Sequence, residues 1–224
     1  QWLHGPVSVE DLKRSLDIIG QRHSALRTIF HGRADGTFGQ VVLSELPEEY
    51  WQFRVVSSVA EAESCARQIC RQPMRVRSEV FRAHLYRVSS NEHLLVIVAH
   101  HAVVDGWSVG ILFRELQELY RRFEEGEECA LETIAQPEFQ LVDFAHWQRK
   151  LYAKRDRREV NYRRRLLGDD WPDFKPPLVV DRAVGGKVSA HTVSVFLSVQ
   201  RVRGLKRLSH LAGTSLNVVL LTAY

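Results

Sequence analysis

The most constraining feature of this chain is the stretch Leu94–Leu112, LLVIVAHHAVVDGWSVGIL. Leu94–Ala99 is an uncharged, β-branched apolar run too short for a helix, so it reads as a buried strand. His100 and His101 follow it directly, and Asp105-Gly106 then signals a turn. Beyond the turn, Val109, Leu112, Phe113, Leu116, Tyr120 and Phe123 repeat at helical spacing. The predicted layout is strand, ionisable pair, tight turn and helix, with the helix over about Ser108–Glu125. If the strand runs through both histidines, they point to opposite faces: one imidazole enters a cavity and the other packs into the scaffold. Asp105 is placed as a buried carboxylate near both the helix start and the histidines, and such a group needs a cation or several donors. Gly106 is read as a position for φ > 0 or close backbone approach. Backbone N–H groups of the first helical turn are placed to meet developing negative charge.

These residues carry a family resemblance. HHAVVDG resembles the HHxxxDG signature of nonribosomal peptide synthetase condensation domains, which are similar in fold to chloramphenicol acetyltransferase. Two more segments agree in order and spacing. Arg22–Phe30, RHSALRTIF, resembles the family's RHExLRTxF, with Ser24 in place of the acid. Asp143–Trp147, DFAHW, resembles its DFAxW. The resemblance implies an α+β fold (an α/β sandwich), with a mixed, largely antiparallel sheet and helices packed on it. It implies that residues 1–224 form the N-terminal lobe of a condensation domain, lacking the first strand and the C-terminal lobe.

The activity implied is amide-bond formation between a donor thioester and an acceptor amine, both held on phosphopantetheine arms of carrier proteins. No cofactor is expected to bind the chain directly. Its partners would be donor and acceptor carrier proteins and the C-terminal lobe. Residue by residue, the resemblance makes His101 the catalytic histidine, with Asp105 fixing the loop and Gly106 bringing backbone near the reacting centre. His100, Trp107 and Ser108 support the site. Arg22 first, or Arg27, would neutralise Asp105 through an ion pair. Asp143, Phe144 and Trp147 would lie near the tunnel and interdomain contact, although Phe144 and Trp147 read first as simple core. No GxSxG elbow is present and no Cys stands beside the histidines, which fits a route without a covalent enzyme intermediate. Adjacent strand histidines diverge and no third ligand accompanies them, so no metal site is expected. Two other readings stay open: another HxxxD-type acyltransferase acting on a soluble amine or alcohol, and a non-catalytic carrier-docking module. A lone lobe is expected to be inactive or nearly so.

Composition narrows the rest. Among 224 residues, 45% are hydrophobic and 26% charged, the profile of an ordinary globular chain. No apolar stretch reaches membrane-spanning length, and three cysteines without CxxC spacing fit a reducing cytoplasm. The net charge of +4 permits an acidic partner without demanding one. The basic stretch Arg149–Arg165 reads as a solvated helix. A carrier-docking face comes second, and nucleic acid is disfavoured because no stacking aromatics are interleaved.

The remaining elements follow from punctuation. Gln1–Val7 reads as the tail of a strand. Ser8 caps a helix to about Arg22. Leu26–His31 and Phe38–Leu43 form a hairpin around Asp35-Gly36. Tyr50–Val56 is a strand, and Val59–Arg71 is a helix stopped by Pro73. Phe81–Val88 and His93–His100 pair antiparallel. Glu124–Glu128 looks like a solvated, mobile loop. Val142–Tyr152 is helical. Pro172, Pro176 and Pro177 mark a connector, Gly185-Gly186 a turn and Val188–Val199 a strand. Helices are expected from Val199 to Leu211 and from Leu216 onward.

Overall fold

A computed structural model of the chain describes residues 1–34, 36–127, 134–168 and 194–223, with backbone alone for 153–157. The chain divides into two compact units, Gln1–Gly168 and Asp169–Tyr224.

The first unit runs β1 (Trp2–His4), α1 (Val9–Arg22), a 3-10 turn (Ser24–Arg27), β2 (Thr28–Gly32), β3 (Phe38–Val42), a second 3-10 turn (Glu48–Tyr50) and β4 (Trp51–Val55). It continues with α2 (Val59–Arg71), β5 (Phe81–Ser89), β6 (Glu92–Ala99), α3 (Gly106–Glu124) and α4 (Leu141–Leu167). In the second unit, the described residues form α5 (Val199–Leu211) and α6 (Leu216–Ala223). Ser8, Ser58 and Ser198 each accept a backbone N–H at the starts of α1, α2 and α5, the side-chain caps that punctuation in the sequence signals.

The main sheet has the order β1-β6-β5-β4. Its β1–β6 and β6–β5 pairs are antiparallel and β5–β4 is parallel, with α2 crossing between β4 and β5. The sheet is therefore mixed, as expected. β2 and β3 form a separate antiparallel hairpin, closed by Arg33 N–H donating to the Thr37 carbonyl with Gly36 at φ +80°. That left-handed φ is accessible to glycine without a Cβ penalty.

Both faces of the central strands are covered, which is why β5 and β6 read as near-continuous apolar runs. On one face Ala83, Leu85 and Leu95 pack with Leu12, Leu16 and Ile19 of α1 and with Leu112, Leu116 and Leu119 of α3. On the other, Tyr86, Leu94 and Val96 meet Ala62 of α2. Leu16, Ile19 and Leu85 are fully buried. Each such side chain is worth roughly 1.5–3 kcal/mol relative to exposure, so the α1–sheet–α3 layer is the main stabilising contact behind the motif loop.

Several expectations are corrected. The strand expected from Leu26 begins at Thr28, because Leu26 N–H bonds the His23 carbonyl and the Thr28 hydroxyl bonds the Ser24 carbonyl, winding the chain into a turn first. β6 stops at Ala99, so His100 and His101 do not alternate on a strand. The acidic end of α3 is exposed, in keeping with the solvated loop expected there, with Glu128 outside the described residues; its own last-turn arginines pair with it, Arg121 with Glu118 and Glu125 and Arg122 with Glu127. These cations offset carboxylates that would otherwise oppose the helix dipole. Residues 194–198 form no strand, and the rest of the expected 188–199 strand lies outside the described residues, as do the proline connector, the Gly185-Gly186 turn and Cys129. Phe144 and Trp147 are not core. They are 52% and 56% exposed and lean on each other with ring centroids 5.7 Å apart. The anchoring of α4 lies at its N-cap instead, where Gln140 bonds Ser24 and Arg22.

Candidate functional site

The motif loop is built by the end of β6 and the start of α3. His100 N–H donates to the Val80 carbonyl at 2.8 Å, and Val103 N–H returns to the His100 carbonyl at 3.0 Å. Val103 is buried and pins the loop to the core beneath. The His100 ring accepts from Ala102 N–H at Nδ1, 3.1 Å away. An accepting Nδ1 leaves the proton of the neutral ring on Nε2, so His100 is half-buried and committed to holding the turn. His101, one residue on, is exposed, and its ring makes no hydrogen bond among the described residues. The expectation that strand alternation sends one imidazole into a cavity is corrected: both histidines lie on a turn past the strand, His100 half-buried and His101 exposed, and His101 lines neither cavity described below.

Asp105 is the N-cap of α3. Its Oδ1 accepts from Ser108 N–H at 2.8 Å and from the Ser108 hydroxyl at 2.7 Å, while Ser108 Oγ accepts from Asp105 N–H. This reciprocal arrangement satisfies donors that a helix start leaves orphaned. The Ser108 hydroxyl, then the Ser108 amide, hold the Asp105 carboxyl below the usual aspartate range. Asp105 is exposed, not buried, and the expected arginine clamp is absent among the described residues. Arg22 Nε pairs with Glu115 at 3.2 Å, and its guanidinium also reaches the Ala135 carbonyl. Arg27 donates to the Gly20, Gln21 and Ser44 carbonyls at 2.8, 3.1 and 3.2 Å, and to the Leu43 carbonyl. The last carbonyls of α1 lack helical partners, and a forked guanidinium matches several of them at once. Burial of that guanidinium pushes its pKa down.

Gly106 is also corrected. It is the first residue of α3, not a left-handed position, and a Cβ added there would meet nothing within 4 Å. Trp107 is 83% exposed beside it. Asp143, exposed, accepts Gln140 N–H at 2.9 Å and completes a capping box at the start of α4.

Beneath the loop is a small, largely apolar cavity of about 120 Å³, lined by Ile19, His23, Leu26, Val103, Ser108 and Ile111 among others. A larger groove, about 620 Å³, lies toward the other end of α3 between Trp2, Leu12, Phe113 and Tyr120. It contains none of the motif residues.

Two residues that sequence reasoning passed over, Glu115 and Gln140, bind the segment that carries His23, a lining residue of the small cavity. Glu115 Oε2 lies 2.7 Å from His23 Nε2, and Glu115 Oε1 takes Arg22. Gln140 Oε1 accepts from Ser24 N–H and Oγ at 3.0 and 2.9 Å, and its amide donates to the Arg22 carbonyl at 3.0 Å. A signal for Glu115 was present: it falls inside the Leu112, Leu116, Leu119 stripe, where a carboxylate needs a partner. Among the described residues, no group of three His, Cys, Asp or Glu could hold a metal ion, and no helix is long and apolar enough to cross a membrane.

Comparison with known proteins completes the picture. The chain is 33% identical over 229 residues to a chondramide synthase of Chondromyces crocatus, covering 99% of this chain and 6% of that protein. It is 30% identical over 233 residues to a beauvericin nonribosomal cyclodepsipeptide synthetase of Beauveria bassiana, covering 99% of this chain and 7% of that one. The fold matches the first condensation domain of the CDA synthetase with a TM-score of 0.66 at 19% identity, over 96% of this chain and 50% of that chain. The chain thus spans a small fraction of the synthetases and half of the solved domain. The model of the condensation domain matches residues 2–224, which include the His101, Asp105 and Gly106 turn, and the chain belongs to that family.

Proposed function

We propose that the chain is one lobe of a condensation domain that joins a carrier-bound acyl thioester to a carrier-bound amine. The observation that supports this most directly is the His101 turn. An imidazole stands in solvent at the end of a buried strand, held from behind by a committed His100 and beside a helix start fixed by Asp105. A thioester is already activated, and an α-amine, with a pKa near 8, is partly neutral around pH 7. The chemistry then needs the two groups held together, a proton removed from the amine as the C–N bond forms, and the C–S bond broken with the donor arm's thiol leaving and taking up a proton. Holding them together replaces a bimolecular encounter. His101 accepts the proton or orients the amine. Asp105 acts by holding the first turn of α3 and does not transfer the proton.

Phe144, Trp147 and Asp143 present an exposed aromatic face at the start of α4. In this reading that face and the His101 turn meet the second lobe, and the tunnel between lobes admits both phosphopantetheine arms. A hydroxyl acceptor giving an ester is the second reading. It is favoured by the similarity to a synthetase named for cyclodepsipeptides, and an alcohol would use the same base.

The test is a single-turnover assay of the parent synthetase with two loaded carrier proteins. Carrier-bound amide is the expected product. Carrier-bound ester selects the second reading. Equal turnover of a soluble amine overturns the carrier-bound acceptor. The isolated chain should yield no product, and measurable condensation by it would overturn the requirement for a second lobe.

A further inference from the structure

We propose that Glu115 is a positioning residue for the reaction, coupling the two walls of the cavity beneath the His101 turn. The inference rests on the condensation reading above and adds a residue to it.

One wall is the end of α1 and the 3-10 turn after it, which supply Ile19, His23 and Leu26. The other is the motif loop and the start of α3, which supply Val103, Ser108 and Ile111. Most of the contact between α1 and α3 is apolar, through Leu12, Leu16 and Ile19 against Leu112, Leu116 and Leu119. Apolar burial is non-directional, so it holds the helices together without fixing how far one slides along the other. Glu115 supplies the missing direction. One carboxylate oxygen takes Arg22 Nε at 3.2 Å and the other takes His23 Nε2 at 2.7 Å. The three side chains are only 16–25% exposed, so the contacts are shielded more than a surface pair would be. Gln140 extends the tie by gripping the Arg22 carbonyl and Ser24.

Glu115 lies nine residues beyond Gly106 on one continuous helix, or about 14 Å at 1.5 Å per residue. A rigid helix carries a shift at Glu115 to its first turn undiminished. Asp105, Ser108 and the loop bearing His101 would move with it. Glu115 therefore acts through α3 and does not touch the reacting groups.

The experiment uses the parent synthetase with loaded donor and acceptor carriers. Glu115→Gln, similar in shape but uncharged, should lower kcat about 10- to 100-fold, the scale expected of misplacement by about an ångström. KM for each carrier should stay within about twofold. The double variant Arg22→Gln/Glu115→Gln should lose no more than the worse single, because the two act as a unit. Independent, multiplying losses would overturn the proposal, as would a raised KM with kcat intact. Glu115→Ala should lose at least as much as Glu115→Gln. If both unfold the synthetase, Glu115 is a folding element and the proposal falls. A wild-type synthetase that joins nothing from loaded carriers overturns the condensation reading itself. Activity in the wild type with multiplying losses overturns only the role of Glu115.

Discussion

Strand β6 carries a histidine near its start and delivers two more at its end, and these meet opposite environments. His93, the second residue of β6, is fully buried. Its Nε2 takes Arg87 Nε at 3.2 Å, and its Nδ1 has no partner among the described residues. His101, two residues past the strand, stands in water on a turn. The strand pairs along its full length with β5 and at its start with β1, so a ring at position 93 is enclosed on every side. At position 100 the chain has left the sheet. The same side chain is a packing element at one end and a solvent-exposed ring at the other. What separates them is where the ladder of hydrogen bonds stops.

Exchanging the roles of these two residues tests that contrast hardest. His101→Ala in the complete synthetase should lower condensation by at least about 10²-fold, while stability changes by less than about 0.5 kcal/mol, as at exposed positions generally. His93→Ala should do the reverse. It empties a fully buried site and strips Arg87 of an acceptor, costing about 2–4 kcal/mol, and turnover per folded molecule should persist. Melting curves and single-turnover rates on both variants are the check. Parent-rate turnover by His101→Ala would remove its assignment.

The next effect is on pH. Burial pushes the imidazoles of His93 and His84 below their ordinary 6.5, with Arg87 and Arg82 respectively adding to the push. In the folded state these rings stay neutral at a pH where the unfolded chain protonates them. The unfolded state then binds more protons, so stability falls as pH drops below about 6.5 and levels off only under the folded pKa values. The paired carboxylates behave differently. Glu79, held low first by its Arg82 hydrogen bond, loses its contribution only as pH falls below about 4.5. Melting temperature should therefore begin to decline below about pH 6.5 through the histidines, with the carboxylates adding to the decline below about pH 4.5. His84→Phe, which keeps the stack on Tyr86, should reduce the decline that begins below about pH 6.5, with His93 still contributing, and leave the carboxylate part unchanged.

How much of this was legible follows the range of the interactions. The starts of α1 and α5 were readable because each is marked by a local serine cap, and the end of α2 because Pro73 stops it; the cap at Ser58 carries the same local signal. β5 and β6 were readable because burial on both faces writes a continuous apolar run. The motif turn was readable as chemistry through its likeness to a known family. What failed was long-range pairing. Arg22 was assigned to Asp105 because that aspartate was the acid the motif offered, whereas its partner is Glu115, 93 residues away and embedded in a helical stripe. Arg27 was misread for a related reason: its partners are backbone carbonyls, which no side-chain pattern announces. Phe144 and Trp147 show the opposite error. Their spacing matches a core stripe, and nothing local distinguishes a stripe covered within this unit from one left exposed.

The smallest predicted effect separates a cap from an ion pair at the exit end of β6. Asp105 holds α3 through Ser108 and not through a guanidinium. Asparagine caps helices about as well as aspartate, so Asp105→Asn should melt within a degree or so of the parent. Asp105→Ala should melt a few degrees lower, because the Ser108 N–H and hydroxyl lose their acceptor. An ion pair orders the variants differently: Asp105→Asn would then fall as far as Asp105→Ala, because the charge itself would be the contact. Salt sharpens the distinction, since a cap built on short neighbour bonds resists 1 M NaCl better than a solvent-exposed charge pair, which is screened within about 3 Å there. If the parent's melting point drops steeply with salt and Asp105→Asn abolishes that dependence, the carboxylate is neutralised by an arginine after all, and Arg22 must leave Glu115 to reach it.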